Sequence, residues 1–415
     1  MILGPDVEAA GSGERFLLHG GLVFDGTGSP PGPADVVVTD GRIVEVGPGL
    51  DGDVGVEVTG STVLPGFFDC HVHVTVSGVD VMDRLTTPFS YQFYEAARNL
   101  EATLATGVTT VRDAGGADLG IKQAVDDGLV AGPRVLPAIG IIGQTGGHTD
   151  GWFPSGYDVP LGLPHPGRPP ALADGVDELR KVVRTLLRAG ADVIKICTTG
   201  GVLSPRDDPR HTQFSPEEIA VVVAEAAAAG RWVMAHAQGT AGIKNAVRAG
   251  VRSIEHGFYL DEEAIELMLA HQTWLVPTLV APRAVTAAAE AGAQLPDAVV
   301  AKAEEVVEAH LASVRAAVAA DVPIAMGTDS GVGPHGQNLE ELALMEECGM
   351  PPEQVLVSAT SGAARLCGLQ DETGRLAPGL AADLVVLDGD CYDFTKMRER
   401  VRQVWRDGRL MVGSP

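Results

Sequence analysis

His71-Val72-His73 closes the apolar run Ser61-Thr62-Val63-Leu64-Pro65-Gly66-Phe67-Phe68-Asp69-Cys70. In an extended strand, residues two apart face the same side, so both imidazoles can reach one metal ion. A His-x-His pair also occurs as a purely structural feature, and its weight here comes from ligand-type residues further along the chain. Lys195 in Asp192-Val193-Ile194-Lys195-Ile196, His236 in Trp232-Val233-Met234-Ala235-His236, His256 in Ser253-Ile254-Glu255-His256 and Asp329 in Ile324-Ala325-Met326-Gly327-Thr328-Asp329 each sit at or near the end of a short apolar run. Charged and metal-binding side chains at the carboxyl ends of buried parallel strands are what a (β/α)8 barrel uses for catalysis.

The elements that must position these groups can be read around them. Between residues 65 and 368, apolar runs alternate with helical stretches, as in successive βα units. Eight strand candidates end near His73, Asp113, Gly140, Ile196, His236, His256, Thr278 and Asp329. Ser215-Pro216-Glu217-Glu218 offers an N-cap, a proline at the first helical position and a capping-box acid, and Gly230 closes the apolar run behind it.

The flanks have a different texture. Residues 15–64 carry short β-type runs (Phe16-Leu17-Leu18-His19, Asp35-Val36-Val37-Val38-Thr39, Arg42-Ile43-Val44-Glu45-Val46) divided by Gly-rich turns, and residues 369–415 repeat the pattern. A closed barrel brings its own ends together. The two flanks are therefore expected to join as one composite β-sandwich, the alternative being two separate β appendages. Residues 1–14, rich in glycine and acids, read as a flexible tail. The expected fold is α/β: a (β/α)8 TIM barrel over 65–368 with the small sandwich beside it.

The 415 residues exceed the roughly 250 of a bare barrel, which leaves room for that second unit. With 45% hydrophobic and 20% charged residues, the chain can bury a large core. Thirty basic against 55 acidic residues give a net charge of −25, which argues against nucleic acid and anionic membrane partners. The beginning of the chain lacks a basic, apolar leader pattern, and no uncharged apolar run approaches membrane-spanning length. Cys70, Cys197, Cys348, Cys367 and Cys391 are widely spaced and form no C-x-x-C pair, so reduced thiols and a cytoplasmic location are the expectation.

Taken together, Pro65-Gly66-Phe67-Phe68-Asp69-Cys70-His71-Val72-His73, Val193-Ile194-Lys195, His236, His256-Gly257 and Gly327-Thr328-Asp329-Ser330 resemble the amidohydrolase superfamily over nearly the whole chain. Gly146-Gly147-His148-Thr149-Asp150 and Thr199-Gly200-Gly201-Val202-Leu203-Ser204 are similar to its imidazolonepropionase-related branch, which includes prolidase-like metallo-carboxypeptidases. The resemblance implies two divalent ions, commonly zinc, bridged by Lys195 carboxylated on its amine. His71, His73 and Asp329 would hold one ion, and His236 and His256 the other. An unmodified ammonium has no lone pair for a metal, whereas a carbamate presents two oxygens. Unmodified, Lys195 would instead bind substrate or pair with an acid. Homo-oligomerisation is a further family-based expectation.

In such a site a hydroxide shared by the ions attacks the carbonyl, and Asp329 is the expected proton carrier, its other reading being a ligand alone. His148, after the third strand, is expected to donate to the oxyanion unless it merely faces solvent. Relatives of the peptidase type often carry a tyrosine two residues after the strand-five histidine, where this chain has Gln238. Arg283 is a candidate replacement cation or else a surface residue. Tyr259, Trp152 and Tyr157 could line a pocket or pack loops, and His335 could meet substrate. Gly331-Val332-Gly333-Pro334-His335-Gly336 matches G-x-G-x-x-G but follows Asp329 with no Rossmann unit around it, so it reads as a loop over the metal pocket.

Three functions compete: hydrolysis of an amide in an X-Pro-type dipeptide or N-acyl amino acid; hydrolysis of a cyclic amide, carbamate or urea-type molecule; and a non-catalytic scaffold. The complete ligand set argues against the last, and the lysine-bridged pattern argues against a true imidazolonepropionase.

Overall fold

The computed structural model describes residues 13–414 except Leu161 and Pro205, with the side chains of Val81 and Arg84 also left undescribed. The tail expected over 1–14 falls, up to residue 12, outside the described residues.

The flanks pair with each other. Leu384–Asp388 runs antiparallel to Ser61–Pro65, with Val386 opposite Val63. Around this seam lies a six-stranded sheet in the order Arg409–Val412, Val401–Arg406, Leu384–Asp388, Ser61–Pro65, Leu22–Val23, Gly32–Pro33. A four-stranded sheet of N-terminal residues orders Arg42–Gly47, Asp35–Thr39, Phe16–His19, Val54–Glu57. Phe16, Val36 and Ile43 of the smaller sheet share one apolar cluster with Val63, Leu384 and Trp405 of the larger. Burying that cluster is what joins segments more than 300 positions apart.

The middle of the chain gives parallel strands. Phe67–Val72, Val108–Asp113 and Arg134–Pro137 form one sheet, while Ile141–Ile142, Ile194–Cys197, Val233–Ala237, Ser253–His256 and Trp274–Val276 form a second. Helices such as Gly175–Arg188, Pro216–Ala228 and Thr240–Ala249 alternate with them. Ser215 and Glu218 make the reciprocal capping box that the sequence predicts. Ile194, Ile196, Val233 and Ile254 from the strands pack with Val222 and Val247 from the helices in the main core.

The ladder does not run as one closed ring of eight strands. The third expected run breaks at Ile139, whose φ of 70° turns the chain; its first part pairs with Val108–Asp113 and its second with Ile194–Cys197. The eighth expected run, 324–329, forms no strand. Pro323 lacks an N–H, the Met326 N–H donates to Ser358 O at 3.0 Å, and Asp329 has φ 59°. The segment still bonds on both sides: Ala325 N donates to Leu275 O at 3.0 Å, Cys70 N to Met326 O at 2.9 Å, and Asp329 N to His71 O at 2.7 Å. Asp329 is thereby held beside His71.

Candidate metal centre

Parallel register sets the ligand positions. His236 lies opposite Glu255 and Ala237 opposite His256, so the two histidines end adjacent strands. His256 has φ 75°, a left-handed backbone that lets consecutive residues Glu255 and His256 both turn toward the site. His71, His256 and Asp329 each offer a ligand atom, and these atoms lie within 4.8 Å of one another. His73 Nε2 lies 3.2 Å and His71 Nε2 3.5 Å from Asp329 Oδ1, and Lys195 Nζ is 3.4 Å from His71 Nε2. The His236 ring centroid is 4.7 Å from that of His256, and its Nε2 is 3.1 Å from Gly200 O. All six predicted ligands therefore gather in one place.

This donor set suits a divalent cation. Burial holds His71, His236 and His256 well below the usual imidazole range, so each keeps the neutral form that binds metal. Burial also lowers the Lys195 ammonium. Asp329 goes the other way: burial alone would raise it, but His71, His73 and Lys195 outweigh that and bring it down to about 2, keeping it ionised. Among the described residues its buried Oδ1 meets no hydrogen-bond donor besides His71 at 3.5 Å and His73 at 3.2 Å.

Partners behind the candidate ligands fix their rings. His71 Nδ1 meets Glu255 Oε2 at 2.7 Å, and Glu255 is bound in turn by Arg112 Nη2 at 3.0 Å. His73 Nδ1 meets Gly115 O and His256 Nδ1 meets Thr278 Oγ1, each at 2.7 Å. Asp69 accepts from Thr328 N at 3.1 Å, Thr328 Oγ1 at 2.6 Å and Asn338 Nδ2 at 2.8 Å, bracing the turn before Asp329. Such outer partners orient ligands and raise their basicity. Sequence reasoning missed Arg112, Thr278 and Asn338, because their role exists only across strands; Asp69 and Glu255 were visible only as neighbours of ligands.

A cavity of about 410 Å³ opens over the centre, lined by the ligands and by Val202, Phe258, Val285, Leu295 and Val299. His148 and Gln238 also line it. His148 stacks on His236 with centroids 4.3 Å apart, and its Nδ1 lies 2.7 Å from Ser204 Oγ. Trp152 lines the cavity, whereas Tyr157 is 75% exposed and does not.

Three expected substrate contacts lie elsewhere. Tyr259 is not part of the lining; its ring stacks with Arg210, 5.1 Å away. Arg283 points from helix Val280–Glu290 to Glu347, 3.7 Å distant. His335 is held by Val76 O at 3.1 Å and lies beside Thr103. The cavity's cations besides Lys195 are instead Arg168 and Arg206. Arg168 directs its guanidinium to Gly116 O, Leu163 O and Gln92 Oε1, each at 3.0 Å. Arg206 stacks over Trp152 at 4.9 Å and has no acidic partner among the described residues.

Comparison with known proteins supplies the family. The amidohydrolase family profile matches residues 62–411. The chain is 35% identical to ochratoxinase of Aspergillus niger over 425 aligned residues, covering 96% of this chain and 86% of that protein. Among solved structures, a Xaa-Pro dipeptidase with methionine in its active site superposes with TM-score 0.87 at 34% identity, covering 95% of this chain and 99% of that one. A prolidase complexed with N-methylphosphonate-L-proline gives TM-score 0.88 at 38% identity, covering 97% and 100%. With its ligand residues gathered under one cavity and the family match spanning most of its length, this chain belongs to the amidohydrolase family.

Proposed function

We propose that this protein is a binuclear metal-dependent hydrolase that cleaves the amide bond of an N-acyl amino acid or X-Pro-type dipeptide. The observation that carries the reading is the meeting of His71, His256 and Asp329 with Lys195 beneath a largely apolar cavity. The architecture behind it is read as a (β/α)8 barrel over 65–368 beside a β-sandwich of 15–64 and 369–415, supported by the shared flank cluster.

His71, His73 and Asp329 would hold one divalent ion, and His236 and His256 the other, zinc being the first choice for this donor set. Lys195 would bridge them as N6-carboxylysine; its buried amine, pushed toward the neutral form, is the species that adds carbon dioxide. When bound, such a pair of ions lowers the pKa of water and polarises the scissile carbonyl. Asp329, ionised and buried beside His71 and His73, takes the proton of the attacking water and delivers it to the leaving amine. His148, set by Ser204, donates to the developing oxyanion. Arg206 at the cavity receives the substrate carboxylate, and the apolar lining excludes water from the acyl group.

A second reading has its own support. Gln238 stands in the cavity wall, and the Arg168 guanidinium is already engaged with Gly116 O and Leu163 O. A cyclic amide, carbamate or urea-type substrate would suit that wall. A hydrolysis panel on metal-loaded protein decides between them: X-Pro dipeptides and N-acyl amino acids against ring amides, carbamates and phenylureas. Turnover confined to the first group supports the proposal, and turnover confined to the second replaces it.

A further inference from the structure

Cys70 and Cys367 are 297 positions apart in sequence, yet their Sγ atoms lie 3.9 Å apart. Cys70 sits in the strand Phe67–Val72, turned away from the ligands His71 and His73 by strand alternation, and is fully buried. Cys367 is the last residue of helix Ser361–Cys367 and remains partly accessible. Phe68, Val276, Ala325 and Leu366 surround the pair. The Phe68 N–H also donates to Ala359 O at 2.8 Å, so strand and helical region are already tied.

A disulfide needs its sulfurs about 2.05 Å apart, so the two must close from 3.9 Å by about 1.9 Å. The contact with Cys70, aided by Arg112 and Arg252 against the opposing effect of burial, holds the Cys367 thiol below its usual range. Cys367 is also the less buried residue of the pair, and the side that a small oxidant would meet first.

We propose that Cys70 and Cys367 form an oxidative modification site, which a peroxide converts to a disulfide joining the ligand-bearing first strand to the last helix of the barrel region. The Cys367 thiolate attacks one peroxide oxygen, the O–O bond breaks, and sulfenic acid and hydroxide form. The Cys70 sulfur then attacks the Cys367 sulfur. The S–S bond forms, the S–O bond breaks, and the oxygen leaves as water with the Cys70 proton. In sum, two thiols lose two electrons and two protons, and one peroxide becomes two waters. Neither step involves the metal-centre chemistry, so the proposal does not depend on which amide is cleaved.

The test treats the full-length, metal-loaded protein with graded hydrogen peroxide, quenches it with alkylating agent in denaturant, and maps peptides without reduction. The expected result is two fewer alkyl groups per chain than in the untreated protein, a cross-linked peptide pair containing Cys70 and Cys367, and its release by a phosphine reductant. The link should vanish in Cys367→Ala, whose substitution at a partly exposed helix end leaves the fold intact; unfolding curves check this. Over-oxidation of Cys367 to sulfinic acid with Cys70 still alkylated, or links through Cys197, Cys348 or Cys391, would overturn the proposal.

Discussion

Glu255 Oε2 lies 2.7 Å from His71 Nδ1, so the residue preceding one candidate ligand in sequence braces a different candidate in space. Arg112 completes the chain with bonds of 3.0 and 3.1 Å to the same carboxylate, all of it buried. Glu255→Gln would leave the Arg112 guanidinium buried without its counter-ion, costing about 3–5 kcal/mol. It would also weaken metal affinity roughly 10- to 100-fold through the loosened His71 ring. Denaturant unfolding of metal-free protein and metal titration measure the two effects separately. Unchanged values in both would remove Glu255 from the account.

Gly201 packs against His148, and a methyl group there would fall 2.3 Å from His148 Cε1 and 2.5 Å from Nδ1. Gly201→Ala therefore displaces the His148 ring directly, at a residue that is not itself a candidate ligand. We expect kcat to fall on the order of 10- to 100-fold with metal content unchanged, and His148→Asn to do the same. Full activity in both variants would return His148 to a packing role.

The candidate ligands were legible in the sequence because strand periodicity is local: His71 and His73 share a face by spacing alone, and each later candidate sits at or near the end of its own apolar run. The helix start at Ser215 was legible for the same reason, since its cap is built from neighbours. The eighth strand was not. Ile324-Ala325-Met326 has strand composition, but Pro323 and the diversion of Met326 N to Ser358 leave it no ladder. Substrate contacts were the least legible, because whether Arg283 or Arg206 faces the cavity depends on where a loop and a helix lie in three dimensions.

Arg206 is the cation assigned to the substrate carboxylate. Arg206→Met should raise KM for N-acyl amino acids roughly two- to fivefold, a modest effect because the side chain is solvent-exposed. The KM for the matching primary amides, which lack the charge, should not change. An equal effect on acids and amides would place Arg206 in loop packing over Trp152 instead.

Glu341 is fully buried and accepts from Leu279 N at 2.8 Å and Val280 N at 3.0 Å, holding the start of the helix that carries Ala281 and Val285 to the cavity. Burial pushes it up to about 8 against the Leu279 and Val280 donors, with Asp69 adding to the rise and Arg283 opposing it. A carboxyl raised on folding contributes stability below its unfolded pKa, near 4.3, and loses it as pH climbs through the folded value. The stability difference between wild type and Glu341→Gln should thus shift against the wild type between about pH 5 and pH 8, on the order of a few kcal/mol. Urea unfolding of both proteins across that range is the check; parallel curves would mean Glu341 does not titrate there.

Metal content per chain, measured by elemental analysis on protein purified in bicarbonate and on Lys195→Ala, tests the binuclear centre most directly. Close to two equivalents in the wild type and a clear loss in the variant is the result expected of a carbamate held between two ions. One equivalent or none, unchanged in Lys195→Ala, would contradict the bridged centre.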